Sequence, residues 1–323
     1  MVKAIALLSG GLDSILAVKL VQSQNIHVIG FTCTTPFFNA VKAQAAADQI
    51  HLPLMIADIT DEHLQMLKSP RYGYGKNMNP CIDCHTLMLN IAGRKMEEIG
   101  ADFLVTGEVM GQRPMSQTKQ SLGVVAKNSG YADYILRPLS AQLLEPVKAE
   151  REGKIDRSKL LAVSGRGRKD QMRLAEEFGI RHYPAPAGGC LLTDPIFSRR
   201  LRDLMSHSDD RQIRDYELLK HGRHFRIEDI GKIIVGRNKA DNEALQKLSL
   251  AEDLICNMVN TPGPCVLAPY GDEAAIATAA ALCVRYSDAP DNTEADVACQ
   301  HQNRSVTIKA RAIPKDKSER WII

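Results

Sequence analysis

Six residues near the start of the chain, Ser9-Gly10-Gly11-Leu12-Asp13-Ser14, follow a short apolar run at 3–8 and precede a helical pattern at 13–24. A buried strand that passes through a glycine turn into a helix commits this region to a βα unit. The two glycines let the backbone curl tightly and leave N–H groups pointing inward as a nest for an anion. The helix N-terminus adds partial positive charge at the same place. Ser9 and Ser14 offer hydroxyl donors to phosphate oxygens. Asp13 either braces the loop or holds a Mg²⁺ ion that carries pyrophosphate. No G-x-x-x-x-G-K-[ST] string occurs, which disfavours a Walker-type NTPase.

The alternation continues. Strands are predicted at 27–33, 53–58, 103–106 and 134–139, and helices at 39–50 and 81–99, with a further helix that Thr60 would cap. Strands alternating with helices predict a parallel sheet covered on both faces, with ligands at the carboxyl ends of its strands. A chain of 323 residues exceeds the usual size of one core, so two domains are expected. The expected fold class is α/β, a doubly wound parallel sheet over residues 1–185. A linker at 186–205 carries Cys190, and a smaller α+β domain covers 206–323. In that second domain strands are predicted at 224–227, 232–235, 265–268 and 306–309, and helices at 242–257 and 273–286.

Composition excludes little: 44% hydrophobic and 24% charged residues suit a globular protein, and a net charge of +3 neither demands nor excludes a nucleic-acid partner. The first apolar run turns polar at Ser9, too soon for a secretory signal, and no run approaches the roughly 20 residues of a membrane span. A cytoplasmic protein with no membrane partner is expected. Its eight cysteines then read as thiols or metal ligands rather than a disulfide framework.

Three of them stand out. Asn79-Pro80-Cys81-Ile82-Asp83-Cys84-His85 places two thiols three residues apart where a loop enters a helix, and Gly188-Gly189-Cys190 places a third on a glycine turn. Thiols at i and i+3 share a helix face, and a helix N-terminus favours the thiolate. Cys33, Cys256, Cys265, Cys283 and Cys299 lie in apolar surroundings and read as core residues.

The string at 9–14 matches the SGGxDS signature of the PP-loop ATP pyrophosphatases, of the adenine nucleotide alpha hydrolase-like fold. The resemblance implies cleavage of ATP between its α and β phosphates, transfer of AMP to an acceptor oxygen, and displacement of AMP by a nucleophile. Asn79-Pro80 followed by Cys84 resembles the N-P-D-x-x-C of the tRNA 2-thiouridine synthases. Their first catalytic cysteine maps onto Cys84 and their second onto Cys190, while Cys81 stands where they carry Asp. Thr106-Gly107-Glu108, Gly111-Gln112, Ser116-Gln117-Thr118 and Leu136-Arg137-Pro138-Leu139 are similar to segments of the 4-thiouridine synthases.

These resemblances imply a tRNA sulfurtransferase. ATP and Mg²⁺ would lie at Ser9, Gly10, Gly11, Asp13 and Ser14, with Asp13, Cys81, Cys84 and Cys190 as the catalytic set. A base carbonyl of tRNA, expected to be that of uridine, would be adenylated and then exchanged for sulfur from sulfide or a persulfide carrier. Some thiolation enzymes hold a 4Fe–4S cluster with C-x-x-C plus one distant cysteine, a pattern that Cys81, Cys84 and Cys190 fit. Rival readings are a persulfide relay, zinc at Cys81, Cys84, His85 and Cys190, and simple packing. Residues 206–323 resemble the NFACT-R RNA-binding modules around Val235-Gly236-Arg237-Asn238 and Asp241-Asn242-Glu243. Arg199, Arg200, Arg202, Arg223, Arg226, Arg237 and Lys239 then read as a phosphate-binding stripe, against the alternative of ordinary solvated charge. Trp321 reads as a packing anchor. Two other functions stay open: a PP-loop ligase or amidotransferase using ammonia with a structural zinc, and an RNA-binding protein with a silent PP-loop.

Overall fold

Successive side chains of the first strand, β1 (Lys3–Leu7), enter two different cores: Ala4 and Ala6 join one apolar cluster and Ile5 the other. A strand does this only where both faces of its sheet are covered. The computed structural model describes all residues except 186–189, 208–210, 291 and 303. The chain divides into two units, Met1–Thr193 and Asp194–Ile323.

In the first unit β1 is followed by α1 (Leu12–Gln22), β2 (His27–Thr34), α2 (Val41–Gln49), β3 (Leu54–Asp58), α3 (Thr60–Lys68) and α4 (Cys81–Glu98). Then come β4 (Phe103–Thr106), α5 (Lys119–Ser129), β5 (Ile135–Leu136), α6 (Lys148–Arg151) and α7 (Lys169–Glu177). The strands pair in parallel in the order β3-β2-β1-β4-β5. Helix α1 is buried from Ser14 through Val18, because the sheet covers one side and α7 packs on another. Ala43, Ala46 and Ala47 of α2 join α1 in one core, while Leu89, Ala92 and Met96 of α4 and Val125 of α5 fill the other. This is the doubly wound sheet that the alternation predicts. Strand order reverses at β1 and β4, so the loops leaving these two strands border the crevice where such sheets hold ligands.

Two local expectations change. The strand predicted at 134–139 keeps only Ile135–Leu136, because Pro138 lacks a donor and Arg137 turns inward to a carboxylate. Thr60 does not cap its helix; it is the first helical residue, and Asp58 Oδ1 accepts its backbone N–H at 2.8 Å.

The second unit holds α8 (Pro195–His207), α9 (Ile213–Leu218), β6 (Arg223–Ile227), β7 (Gly231–Val235), α10 (Lys239–Leu248) and β8 (Leu254–Met258). It continues with β9 (Val266–Ala268), α11 (Ile276–Arg285), β10 (Glu294–His301), β11 (Arg304–Arg311) and α12 (Lys315–Arg320). Its antiparallel sheet has the order β11-β10-β8-β9-β7-β6. Ala279, Ala280 and Cys283 of α11 pack in one core, and Leu218 and Leu245 join Ile234 and Leu267 in a second.

The unit boundary falls inside the stretch read as a linker. Residues 195–207 form helix α8, whose buried Asp203 takes Arg226 of β6 bidentately at 2.8 and 2.7 Å. The helix predicted at 242–257 stops at Leu248, and residues 254–258 become the inner strand β8 between β9 and β10. Cross-strand pairing there outweighs local propensity. Among the described residues no helix is long and apolar enough to cross a membrane. The five cysteines read as core residues are all buried. Cys256 and Cys299 face each other across β8 and β10 with sulfurs 3.0 Å apart.

Removing Asp203 leaves Arg226 and the buried Lys232, 3.4 Å away, without their counter-charge. Asp203→Ala is expected to cost the second unit about 3 kcal/mol. The sole tryptophan, Trp321, packs on this unit's core and reports its unfolding by fluorescence. The urea midpoint of that signal should fall.

Candidate functional site

The turn after β1 closes on itself. Gly11 N donates to Ser9 Oγ at 3.3 Å, Ser14 Oγ donates to the Gly11 carbonyl at 2.8 Å, and the two serine hydroxyls lie 3.3 Å apart. Gly10 has φ +77°, and the backbone of Lys42 and Ala43 occupies the space that a Cβ would need. Helix α1 starts after Gly11 without a side-chain cap, which leaves its first N–H groups for an anion. Asp13 Oδ2 accepts from Gln112 Nε2 at 2.9 Å, while its Oδ1 is buried with no hydrogen-bond partner.

Gln112 belongs to the loop after β4, which also reaches the cysteine helix. Gly107 lies so close to Ser14 that a side chain would strike its backbone. Glu108, 6% exposed, accepts from His85 Nδ1 at 2.9 Å, Arg137 Nε at 2.9 Å and Thr106 Oγ1 at 3.1 Å. Burial alone would raise its carboxyl pKa. The Arg137 charge and the His85 and Arg137 hydrogen bonds outweigh that and hold it at about 2. Three segments singled out in the sequence, 106–108, 136–139 and the cysteine turn, therefore meet at one carboxylate.

Cys81 and Cys84 open α4. Asp83 between them accepts the backbone N–H groups of Arg71 and Tyr72 at 3.1 and 3.0 Å, which pins the preceding loop to the helix start. Asn79 Nδ2 donates to Cys81 Sγ at 3.3 Å, and Asn77 Nδ2 holds the Thr193 carbonyl at 2.7 Å, just beyond Cys190. Gly188 and Gly189 lie outside the described residues. Burial pushes the Cys84 thiol well above its usual value, and charge on Cys190, Cys81, Cys33 or Asp83 raises it further. Burial raises Cys190 as well; the Leu192 N–H opposes this, Cys81 adds to it, and Arg113 opposes it. Cys81, Cys84 and Cys190 thus occupy one electrostatic neighbourhood. Among the described residues no three His, Cys, Asp or Glu side chains are gathered tightly enough to hold a metal ion. His85 Nδ1 is held by Glu108, and among the described residues no gathered zinc set includes it.

One neighbour escaped the sequence reading. His63 of α3 is fully buried, and its Nε2 lies 3.6 Å from Cys84 Sγ. The only sequence clue is its place on the apolar face of α3 with Leu67, where a histidine is unexpected.

The basic stripe of the second unit is only partly a surface. Arg200 is buried and donates to the Leu219 and Gly222 carbonyls at 2.8 and 2.9 Å, and Arg226 is held by Asp203. Arg223 stacks on the Tyr286 ring, 4.9 Å from its centroid. Arg199, Arg202, Arg237 and Lys239 are exposed, although Arg237 pairs with Asp241. Trp321 packs against the core, as expected.

Glu108 sets an acid limit. Its pKa is depressed from 4.5 to about 2, so its contribution is complete above pH 4.5 and lost as pH falls towards 2. That contribution is on the order of 3 kcal/mol. Glu108→Gln should lower the first unit's urea midpoint, followed by far-UV circular dichroism, and flatten its decline below pH 4.5.

Residues 1–145 match the family model described as thiamine biosynthesis protein (ThiI), and residues 222–322 match the NFACT protein RNA binding domain. Over 167 residues the chain is 28% identical to a tRNA-specific 2-thiouridylase MnmA of Helicobacter hepaticus, covering 45% of this chain and 48% of that protein. Over 146 residues it is 29% identical to a probable tRNA sulfurtransferase of Thermococcus kodakarensis, covering 42% of this chain and 36% of that protein. The chain spans less than half the length of these curated relatives. Among solved structures, a 4-thiouridine synthetase–RNA complex with bound ATP is similar at 19% identity and a TM-score of 0.37, over 68% of this chain and 52% of that one. The chain is thus similar to the ThiI family over residues 1–145 and to the NFACT RNA-binding domain family over residues 222–322.

Proposed function

We propose that this chain is an ATP-dependent sulfurtransferase that thiolates a base of tRNA, expected to be a uridine, in the cytoplasm. The observation that carries the reading is the reach of the loop after β4. Gly107 abuts Ser14, Gln112 holds Asp13, and Glu108 holds His85, the residue next to Cys84. Phosphate loop and cysteines therefore border one site. Curated relatives named for tRNA thiolation support the same substrate class.

In this reading ATP lies on the Ser9–Ser14 turn, and the unpartnered Asp13 Oδ1 meets Mg²⁺. The carbonyl oxygen of a base extruded from its stack attacks the α-phosphate, and pyrophosphate leaves. A sulfur nucleophile then attacks the ring carbon, and AMP departs with the oxygen. The second unit, with Arg199, Arg202 and Lys239 exposed, would hold the RNA backbone.

Cys81, Cys84 and Cys190 fit a 4Fe–4S cluster by donor chemistry. All are free thiols, the donor type that ligates such clusters, and the sulfurs of Cys81 and Cys84 stand beside nitrogens of Asn79 and His63. Such a cluster, when bound, supplies an iron with an open position for sulfide. A persulfide relay between Cys84 and Cys190 is the second reading, since the resemblance to the 2-thiouridine synthases maps their two catalytic cysteines onto this pair.

Asp13→Ala is expected to abolish pyrophosphate release in the presence of tRNA while the fold survives; release at the wild-type rate would place the ATP site elsewhere. Cys81→Ala separates the sulfur routes. Loss of both iron and thiouridine in anaerobic preparations supports the cluster, whereas undiminished thiolation leaves Cys84 and Cys190 as the working pair.

A further inference from the structure

The ring of His63 packs against both Phe37 and Phe38, with centroids 5.5 Å away in each case and interplanar angles of 46° and 85°. Its Nε2 lies 3.6 Å from Cys84 Sγ. That separation suits an N–H···S bond, since sulfur accepts at longer range than oxygen. The other nitrogen, Nδ1, is buried and meets no hydrogen-bond partner among the described residues. A neutral imidazole carries one proton, and the two tautomers of this ring differ in cost. With the proton on Nδ1, a buried N–H would go unsatisfied and Nε2 would rely on a thiol, a weak donor. With the proton on Nε2, the N–H meets the sulfur and only a lone pair goes unmet. An unmet acceptor is the better tolerated of the two in protein interiors.

We propose that His63 is a positioning residue for Cys84: its Nε2–H donates to the Cys84 sulfur, fixing the direction of that side chain and stabilising the sulfur whenever it bears negative charge. This deepens the proposed function by assigning a setting to one of its thiols. It rests on that reading only in taking Cys84 as a working cysteine. The bond serves thiolate, persulfide and metal-bound sulfur alike, because each is a hydrogen-bond acceptor.

Two measurements on the full chain, without nucleotide, iron or RNA, test the bond separately from sulfur transfer. The first is the tautomer of His63 in the wild-type protein, read from its ¹⁵N imidazole resonances. Nε2–H is expected, with a resonance that moves in Cys84→Ala; an Nδ1–H tautomer overturns the proposal without recourse to any His63 variant. The second is the rate of Cys84 alkylation by iodoacetamide, read by mass spectrometry, with Cys81 as the internal control. His63→Leu should slow Cys84 about tenfold, while His63→Gln, which keeps an N–H donor, should stay within about threefold of wild type. Wild-type reactivity in the leucine variant, or equal slowing in both variants, overturns the proposal. If the bond is found but no thiouridine forms with the wild-type enzyme, the proposed function fails and the positioning role stands.

Discussion

A carboxylate buried as deeply as that of Glu108 is tolerable only when its charge is matched, and two of its three partners come from distant parts of the first unit. Arg137 arrives from the end of β5, His85 from the first turns of α4, and Thr106 from the end of β4. An ion pair removed from water is worth little against an apolar packing of the same shape, yet breaking one partner away is expensive. The arrangement therefore acts as a geometric specification more than as a source of stability. It fixes which turn of α4 faces the strand ends, and so where the cysteines stand relative to the phosphate loop.

The electrostatics of the two halves of the site are opposed. Around Ser9–Ser14, backbone N–H groups and the start of α1 present positive potential, suited to an incoming phosphate. On the cysteine side, burial and the nearby Asp83 instead raise the Cys84 thiol and so disfavour its thiolate. Arg113 acts in the other direction on Cys190. Chemistry that needs a charged sulfur must draw on local donors, on a metal, or on both.

Much of the first unit was legible because its signals are local. The turn at 9–14 has Gly10 at the position where its backbone approaches that of Lys42 and Ala43, and the βα alternation fixes a doubly wound sheet. The second unit was harder. Residues 254–258 continue a helical-looking pattern from Leu245, and nothing within that segment announces that β9 and β10 will flank it. The arginines show the same limit from another side. Arg200 and Arg226 look like any basic surface residue until the carbonyls of 219 and 222 and the carboxylate of 203 appear in space beside them. His63 was illegible for the same reason, since its meaning lies in a contact 21 residues away.

The strand order carries a consequence for how this site comes into being. Gln112 meets Asp13 across 99 residues of chain, and Arg137 reaches Glu108 across 29. Because β4 sits beside β1 rather than beside β3, most of the first unit must be threaded before the phosphate turn acquires its neighbours. Closing so long a loop is entropically costly and slow, and it is compensated only when the sheet docks as a whole. During synthesis the nascent phosphate turn would therefore exist without its site, and a fragment ending before Arg137 would carry the recognisable motif but leave Glu108 buried without its guanidinium. The full surroundings of the phosphate turn are in this sense a property of the completed sheet.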